Sequence, residues 1–326
     1  MKFSIVITTY NRLDLLKRAI ASGLQQTMVS EVVVADDCSG DGTEEYVRGL
    51  IEELAGDSRL VYHRNQVNLG HSATVNAGVA VSSGDWIKFL DDDDYLASDC
   101  IAEMARAIAL CPEAVICSCI AAQVNSQGVE LSRTPVMGSG LAVYVPQADI
   151  HYGMLLELLP FGTPVQVACK REAFLQTGGW DSSLDGNCDD IDCWVRVAEY
   201  GGGIFVNRCL AYRTVWSGAY NQKFAIARRL EANILMKEKI YALVNEKYRD
   251  RLPPISIIKD YLKLHWILAA CKQYKFLSAM SILSPVVLSH SAWRILIFAM
   301  FTRHSRKNPD KPDIHQVTII PNMSNP

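Results

Sequence analysis

Short apolar segments alternate with helix-like segments through the first 95 residues, and this alternation restricts the fold more than any other feature. The apolar segments have the length and composition of buried strands and span residues 5–7, 31–35, 59–62 and 85–90. Between them, residues 14–24, 43–54 and 72–82 have the composition and spacing of helices. Strands that alternate with helices form parallel sheets with crossover helices on the sheet faces. The sequence therefore predicts an α/β fold.

Polar residues follow three of these strands at the point where each strand ends. They are Thr8-Thr9-Tyr10, Asp36-Asp37 and Asp91-Asp92-Asp93-Asp94. Ligands of such sheets bind beyond the carboxyl ends of the strands, so we expect the three groups to form one binding site. Their convergence is a stronger indication than any one of the motifs.

The run of four aspartates is the most informative of these motifs. Adjacent carboxylates repel one another and cost stability unless a cation or water screens them. Mg²⁺ and Mn²⁺ prefer oxygen ligands, and Mg²⁺ is commonly held by one or two carboxylates together with substrate phosphates. A solvated acidic loop would explain the run taken alone. Its position at a strand end favours a divalent metal ion bound by Asp93 and Asp91 beside a diphosphate.

Two further acidic motifs have both a structural and a functional interpretation. Residues 36–43 suit a tight turn into a helix, which is the interpretation we prefer for Asp41 and Thr43. Asp37 could instead accept a hydrogen bond from a base N–H or a ribose hydroxyl. Asp189, Asp190 and Asp192 open a predicted helix over residues 190–200, where carboxylates are favoured by the helix dipole. One of them could also remove a proton from an attacking hydroxyl group.

Five motifs together resemble the family-2 inverting glycosyltransferases, which have the GT-A fold. They occur in the family's order over roughly residues 3–213, and five in order are far more specific than one. The motifs are residues 4–12, residues 33–43, residues 68–70 with 76–78, residues 84–94, and residues 178–181 with 189–196.

The resemblance implies a GT-A fold with a mostly parallel central sheet flanked by helices. The composition of the chain beyond residue 215 predicts a helical C-terminal extension. The resemblance also implies that a sugar is moved with inversion from a nucleotide-sugar, with a UDP-sugar favoured, to an acceptor hydroxyl, with Mn²⁺ or Mg²⁺ as cofactor. Asp93 and Asp91 would bind the metal, and Asp190 would be the catalytic base. The residues that would contact the donor are Thr8, Tyr10, Arg12, Asp37 and Asp92.

The chain departs from the family's pattern at two positions. Many relatives have arginine before the asparagine at position 76, where this chain has Val75. Relatives also often have a histidine shortly after a Tyr-Arg pair, whereas no histidine follows Tyr212-Arg213 here. The third protein ligand of the metal is therefore left open. We expect His71, a lone histidine in a predicted loop, to be a surface residue.

Charge divides the chain into two parts. Residues 1–215 carry 15 Lys and Arg against 28 Asp and Glu, whereas residues 216–326 carry 17 against 7. We therefore expect a catalytic domain over residues 1–215, with a nucleotide-sugar half (1–112) and an acceptor half (113–215), and a basic helical region over 216–326. The apolar segments 257–271 and 276–300 are interrupted too often to span a membrane. They either pack on the catalytic domain or lie on an anionic membrane surface with Trp266 and Trp293 near the headgroups.

The remaining expectations concern location and partners. The ten cysteines have scattered spacings without a C-x-x-C pair, and the first ten residues do not resemble a signal peptide. We expect a cytoplasmic protein, peripheral on the inner membrane face, with a glycan or lipid-linked acceptor and no nucleic-acid partner. Two alternatives are a non-catalytic nucleotide-sugar-binding protein and a metal-dependent nucleotidyltransferase. The latter usually has a glycine-rich basic loop after its first strand, and residues 8–12 lack the glycines.

Overall fold

A computed structural model describes residues 1–159, 161–185, 188–216, 225–272, 280, 285–302 and 315–317. The described strands are β1 (Phe3–Thr9), β2 (Val29–Asp36), β3 (Leu60–Arg64), β4 (Trp86–Asp91), β5 (Tyr95–Leu96), β6 (Ala114–Val124), β7 (Glu130–Arg133), β8 (Ala142–Val145), β9 (Val167–Lys170), β10 (Gly202–Thr214) and β11 (His315–Val317). The described α-helices are α1 (Leu13–Leu24), α2 (Thr43–Glu53), α3 (His71–Val81), α4 (Cys100–Leu110), α5 (Gln147–Leu155), α6 (Arg171–Gln176), α7 (Asp189–Val197), α8 (Ile226–Leu243), α9 (Ile255–Lys272) and α10 (His290–Thr302). The predicted α/β class is confirmed.

The four strands predicted from the first 95 residues form one side of the central sheet in the order β3-β2-β1-β4, and all of them are parallel. All seven residues of β1 are buried, as expected for a parallel strand covered on both faces. Helix α1 packs on one face through Leu16 and Ile20. Helix α3 covers the other face, where a Cβ added to Gly78 would lie 2.5 Å from Val6 Cγ1. Only glycine permits this close approach of helix and strand.

The other side of the sheet contains antiparallel pairs. Strand β9 runs antiparallel to both β4 and β6, and β10 pairs in parallel with β6 and antiparallel with β8 and β5. The sheet is therefore mixed, with the predicted parallel strands on one side. The 13-residue β10 was not predicted from the sequence, because Asn207 and Arg208 interrupt its apolar pattern where its pairing with β6 shifts register. Residues 124–165 include β7, β8 and α5.

The chain forms two compact units. One comprises Met1–Gln147, Phe161–Ser217 and Ile314–Pro326, and it contains the sheet; the other comprises Ala148–Pro160 and Gly218–Asp313. The predicted division of the chain at residues 215 and 216 stays a prediction.

Helices and aromatic contacts organise the second unit. The rings of Tyr152 and Tyr248 stack at 4.0 Å, and the Tyr248 hydroxyl donates to the buried Asp149 at 2.7 Å. Leu264 and Leu296 belong to one cluster that joins α9 and α10. Of the predicted apolar segment 276–300, residues 276–279 and 281–284 lie outside the described residues. Within the described part of the chain, no helix combines the length and the apolar character needed to cross a bilayer.

Candidate active site

The carboxyl ends of β1, β2 and β4 bring the predicted polar residues together. Thr8 lies opposite Asp91 in the β1–β4 pairing, and its hydroxyl is 3.4 Å from Asp91 Oδ1. The hydroxyl of Thr9 donates to Asp92 Oδ2 at 2.8 Å. The Asp37 amide donates to the Thr9 carbonyl at 3.0 Å. Parallel pairing thus places three motifs that are far apart in sequence at one edge of the sheet.

The first two aspartates of the run have different partners. Asp91 Oδ1 lies 3.1 Å from His71 Nε2. Asp92 is buried, and both of its carboxylate oxygens are engaged, one by Thr9 and the other by the Arg12 guanidinium at 3.0 Å. In this arrangement Asp92 holds Arg12 beside the cluster. A direct contact of Asp92 with the donor stays a prediction.

The last two aspartates are held by the end of β10. Asp93 Oδ2 accepts a hydrogen bond from the Trp216 indole N–H at 2.9 Å and lies 3.5 Å from Arg12. Asp94 Oδ1 accepts from the Thr214 amide at 2.8 Å. Neither Trp216 nor Thr214 was predicted to belong to the site, because nothing in the sequence indicates that β10 ends beside the aspartates.

The pKa values of the cluster reflect crowded, buried carboxylates. Burial raises the pKa of Asp92 to about 6, and burial together with the charge of Asp91 raises the pKa of Asp93. Burial and the neighbouring carboxylates raise the pKa of Asp94 well above its usual range. Burial would also raise the pKa of Asp91, but contact with His71 keeps it below the ordinary value. Negative charge at this site is therefore costly, and a cation would relieve the cost.

The donor set fits a hard divalent cation. Asp91, Asp93 and Asp94 each offer a carboxylate oxygen, and the three oxygens lie within 4.8 Å of one another. Mg²⁺ and Mn²⁺ prefer such oxygen ligands. Asp94 was not among the predicted ligands, and this geometry makes it a candidate for the third protein ligand, which the sequence left open.

Asp37 lies beneath the loop that leads into α3. Its Oδ1 accepts from the Leu69 amide at 2.7 Å and the Asn65 side-chain amide at 2.9 Å, while Oδ2 accepts from the Gly70 amide at 2.9 Å. A carboxylate offers about four acceptor positions, so these bonds leave capacity for one more donor on Oδ2. The predicted contact with a base stays a prediction. Asp37 also fixes the loop before His71, through the amides of Leu69 and Gly70.

The predicted nucleoside residue Tyr10 is exposed, and the loop that follows it is held by its neighbours. The Asn11 amide donates to Ser39 Oγ at 2.9 Å, and the Gly40 amide donates to Asn11 Oδ1 at 2.8 Å. Asp41 accepts from Thr43, in agreement with the predicted turn. The loops after β1 and β2 therefore support one another. Contacts of Thr8, Tyr10 and Arg12 with the donor stay predictions.

His71 is not an isolated surface residue, as was expected, but the first residue of α3 at the centre of the site. Its Nε2 lies 3.1 Å from both Asp91 Oδ1 and Thr8 Oγ1, and its Nδ1 lies 3.9 Å from Asp189 Oδ2. Although burial alone would lower its pKa, Asp189 and Asp91 raise the pKa of His71 well above its usual range. His71 therefore links the aspartate cluster to α7. The position of His71 directly after the Asn-Leu-Gly motif at residues 68–70 is the one sequence feature that could have indicated its place in the site.

The loop before α7 is docked on α3. Asp185 Oδ1 accepts from the amide of Ser72 at 2.9 Å and from its hydroxyl at 3.0 Å, and the same hydroxyl lies 2.7 Å from Asp189 Oδ2. Further along α3, Asn76 forms two hydrogen bonds with the backbone of Trp180. A Cβ on Gly179 would lie 2.4 Å from Asn76 Oδ1, so this turn requires glycine. The motif at residues 76–78 thus binds the motif at residues 178–181, and these contacts fix the position of α7.

Asp190 differs from the acidic residues beside it on α7. Asp189 is buried against Ser72, and the fully buried Asp192 accepts from Arg196 at 2.7 Å. Asp190 is half-buried, and its Oδ1 accepts from the adjacent Ile191 amide at 2.7 Å. Burial, followed by the charge of Asp189, raises the pKa of Asp190 to about 7. A carboxyl group with this pKa can accept a proton near neutral pH.

The mixed sheet and the strand-end site define the class of the protein: it has the GT-A fold of glycosyltransferases. Residues 4–177, more than half of the chain, match the family described as glycosyl transferase family 2. The chain belongs to that family.

Relatives of known name match shorter parts of the chain. The GalNAc(5)-diNAcBac-PP-undecaprenol beta-1,3-glucosyltransferase of Campylobacter jejuni is 36% identical over 107 residues, which are 32% of this chain and 34% of the relative. The succinoglycan biosynthesis protein ExoO of Rhizobium meliloti is 37% identical over 102 residues, which are 31% of this chain and 28% of the relative. The chain therefore matches about a third or less of the length of these relatives.

Solved structures confirm the fold. TarS of S. aureus, in complex with UDP-GlcNAc, superposes with a TM-score of 0.58 at 19% identity, over 80% of this chain and 70% of TarS. The mannosyltransferase PcManGT of Pyrobaculum calidifontis, in complex with GDP-Man and Mn²⁺, has a TM-score of 0.55 at 18% identity, over 94% of this chain and 88% of that protein. At this level of identity the likeness extends to the fold alone.

Proposed function

We propose that the chain transfers a sugar from a UDP-sugar to an acceptor hydroxyl with inversion of the anomeric configuration. The observation that carries the proposal is Asp190, a half-buried carboxyl group with a pKa of about 7 on a helix that Ser72 holds to α3 and that His71 links to the aspartate cluster. A protein that only bound nucleotide-sugars would not need a proton acceptor of this kind. Membership of glycosyl transferase family 2 supports sugar transfer over nucleotidyl transfer.

The donor and metal occupy the carboxyl edge of β1, β2 and β4 in this proposal. Thr8, Tyr10 and Asp37 bind the nucleoside, and Arg12, held by Asp92, faces the diphosphate. Asp93, Asp91 and Asp94 hold Mn²⁺ or Mg²⁺, which supplies positive charge to stabilise the departing diphosphate. The bound UDP-GlcNAc of TarS and the Mn²⁺ of PcManGT support this choice of donor and metal.

The reaction is a single displacement. The acceptor oxygen attacks the anomeric carbon from the face opposite the diphosphate, and Asp190 takes the hydroxyl proton. The bond between the anomeric carbon and the diphosphate oxygen breaks, and the bonding electrons leave with the nucleoside diphosphate. Asp189 and Asp192, which are tied to Ser72 and Arg196, orient the helix that carries the base.

The acceptor is a glycan or lipid-linked sugar in bacterial polysaccharide or glycolipid synthesis. The names of the C. jejuni and R. meliloti relatives support this class of acceptor. The basic composition of residues 216–326 supports peripheral contact with an anionic, cytoplasmic membrane face. Binding to anionic liposomes that weakens with salt would support this contact, and equal sedimentation with neutral and anionic liposomes would contradict it.

The proposed activity is tested by a donor screen followed by product analysis. UDP-, GDP- and dTDP-sugars are compared by thermal shift with Mn²⁺ present, and we expect UDP-sugars to stabilise the protein most. The selected donor is then incubated with lipid-linked acceptors, and NMR of the product should show an anomeric configuration opposite to that of the donor. A retained configuration would contradict the single displacement, and stabilisation without transfer or hydrolysis would favour a binding protein.

A further inference from the structure

The end of β10 is attached to the aspartate run at several points. The Thr214 amide donates to Asp94 Oδ1 at 2.8 Å. The Arg18 guanidinium donates to the Asp93 carbonyl at 2.6 Å and to the Thr214 hydroxyl at 2.7 Å. Next to these contacts, Tyr95 and Tyr212 stack with their ring centroids 4.7 Å apart. The last residues of β10 therefore pack against Asp93 and Asp94 and hold them in place.

Trp216 lies two residues beyond the end of β10 and contacts Asp93, the predicted metal ligand. Its indole N–H donates to Asp93 Oδ2 at 2.9 Å, and the Arg12 guanidinium carbon lies 5.4 Å from the centre of its ring. Arg12 also approaches Asp93 Oδ2, at 3.5 Å. Two donors from separate parts of the chain thus converge on one oxygen of this carboxylate, whose side chain is only 16% exposed.

We infer that Trp216 is a positioning residue for the divalent cation: its indole N–H holds the Asp93 carboxylate where it forms a cluster with the carboxylates of Asp91 and Asp94. The inference rests on the proposed function, since it concerns the metal that the aspartates would bind. Ligating carboxylates are commonly fixed by hydrogen bonds from residues that do not touch the metal, and losing such a partner typically weakens metal affinity 10- to 100-fold. Trp216 donates a hydrogen bond of this kind to Asp93.

Removing the indole N–H while keeping an aromatic ring tests the inference. In Trp216→Phe, Mn²⁺ affinity, measured from free Mn²⁺ by electron paramagnetic resonance without nucleotide, should fall about tenfold. The matched control is Trp293→Phe, which loses an indole hydrogen bond to the Val287 carbonyl at 2.8 Å. The control should bind Mn²⁺ like the wild type. Melting temperatures of both variants show whether the folded state is intact.

A second measurement titrates the wild-type protein and needs a variant only to assign the Trp216 resonance. The six tryptophans are labelled as 5-fluorotryptophan, and Mg²⁺, which is diamagnetic, is titrated while ¹⁹F NMR is recorded. We expect one resonance, absent from the spectrum of Trp216→Phe or of Trp216→Tyr, to shift with the Mg²⁺ concentration. A Mg²⁺ titration that moves none of the resonances would overturn the inference.

The outcomes separate the inference from the function on which it rests. Wild-type protein that binds no Mn²⁺ would contradict the proposed metal site, and the role of Trp216 would fall with it. Equal Mn²⁺ affinity in the wild type and Trp216→Phe would overturn the role of Trp216 alone. A variant with a lowered melting temperature but unchanged Mn²⁺ affinity would make Trp216 a purely structural residue and would also overturn the inference.

Discussion

Residues 1–112 and residues 113–216 contribute to the site in different ways. In the first region, Thr8, Asp37 and Asp91 lie at or next to the carboxyl ends of strands, and parallel pairing brings them to one edge. In the second, Asp189 meets Ser72 across 117 residues, Thr214 meets Asp94 across 120, and Trp216 meets Asp93 across 123. The first region thus supplies the proposed donor and metal contacts from local motifs. The second supplies the proposed base and the groups that orient those contacts.

Because the two regions contribute differently, donor binding and catalysis should be separable by mutation. Substitutions in the first region should weaken donor binding and turnover together, because both need the donor in place. Substitutions at the proposed base should lower turnover alone, because the acceptor hydroxyl loses its proton only as it attacks.

The largest effect is expected for Asp93→Ala in the first region. Removing this carboxylate takes away the best candidate ligand for the metal, so transfer should fall to background and UDP-sugar binding should weaken. EDTA should inactivate the wild type, and Mn²⁺ or Mg²⁺ should restore it. The measurement is turnover together with calorimetric donor affinity. Full wild-type activity in EDTA would refute the metal role.

Asp190→Asn should lower transfer on the order of a thousand-fold, in line with the loss of a general base. The amide is nearly isosteric and can still accept a hydrogen bond from the Ile191 amide, so the fold and UDP-sugar affinity should be nearly unchanged. Asp189→Asn is the matched control and should be much milder. If Asp190→Asn also lost donor binding, the contrast between the two regions would fail and Asp190 would have a structural or metal-linked role.

The pH dependence should identify the base without changing the fold. Burial and Asp189 raise the pKa of Asp190 to about 7, and only the ionised form accepts a proton, so kcat/KM should rise with pH up to about 7 and level off above it. Below that pKa, kcat/KM should fall about tenfold per pH unit. The residual activity of Asp190→Asn should lack this dependence. A profile that falls as pH rises from 5 to 7 would exclude Asp190 as the base.

The smallest effect is expected for Asp37→Ala. The variant loses the predicted contact with the base as well as three N–H donors from the loop before α3, so UDP affinity should fall about tenfold. The preference for UDP over GDP should disappear. Asp41→Ala, in the neighbouring turn, is the control and should keep that preference. Equal affinities of the wild type for UDP and GDP in calorimetry would refute the proposed uridine selectivity.

The α/β class is predictable from the sequence alone, as are the four parallel strands and the location of the strand-end motifs. These features are predictable because the spacing of apolar residues within a short segment indicates a helix or a strand. Parallel topology then fixes where the strand ends meet. The sequence also identifies Asp190, through resemblance to a family to which the chain belongs. Strand β10 was missed, since its apolar pattern breaks at Asn207 and Arg208 where the pairing shifts register.

The neighbours that set the chemistry of these residues, by contrast, become known only from the folded chain. Three contacts join positions that no short-range sequence pattern relates. His71 contacts Asp91 and Asp189, Asp185 accepts from Ser72, and Trp216 donates to Asp93. The raised pKa of Asp190 likewise depends on burial and on charges brought together by folding. Local sequence encodes which groups are present, whereas their distances and desolvation arise only when distant segments pack against one another.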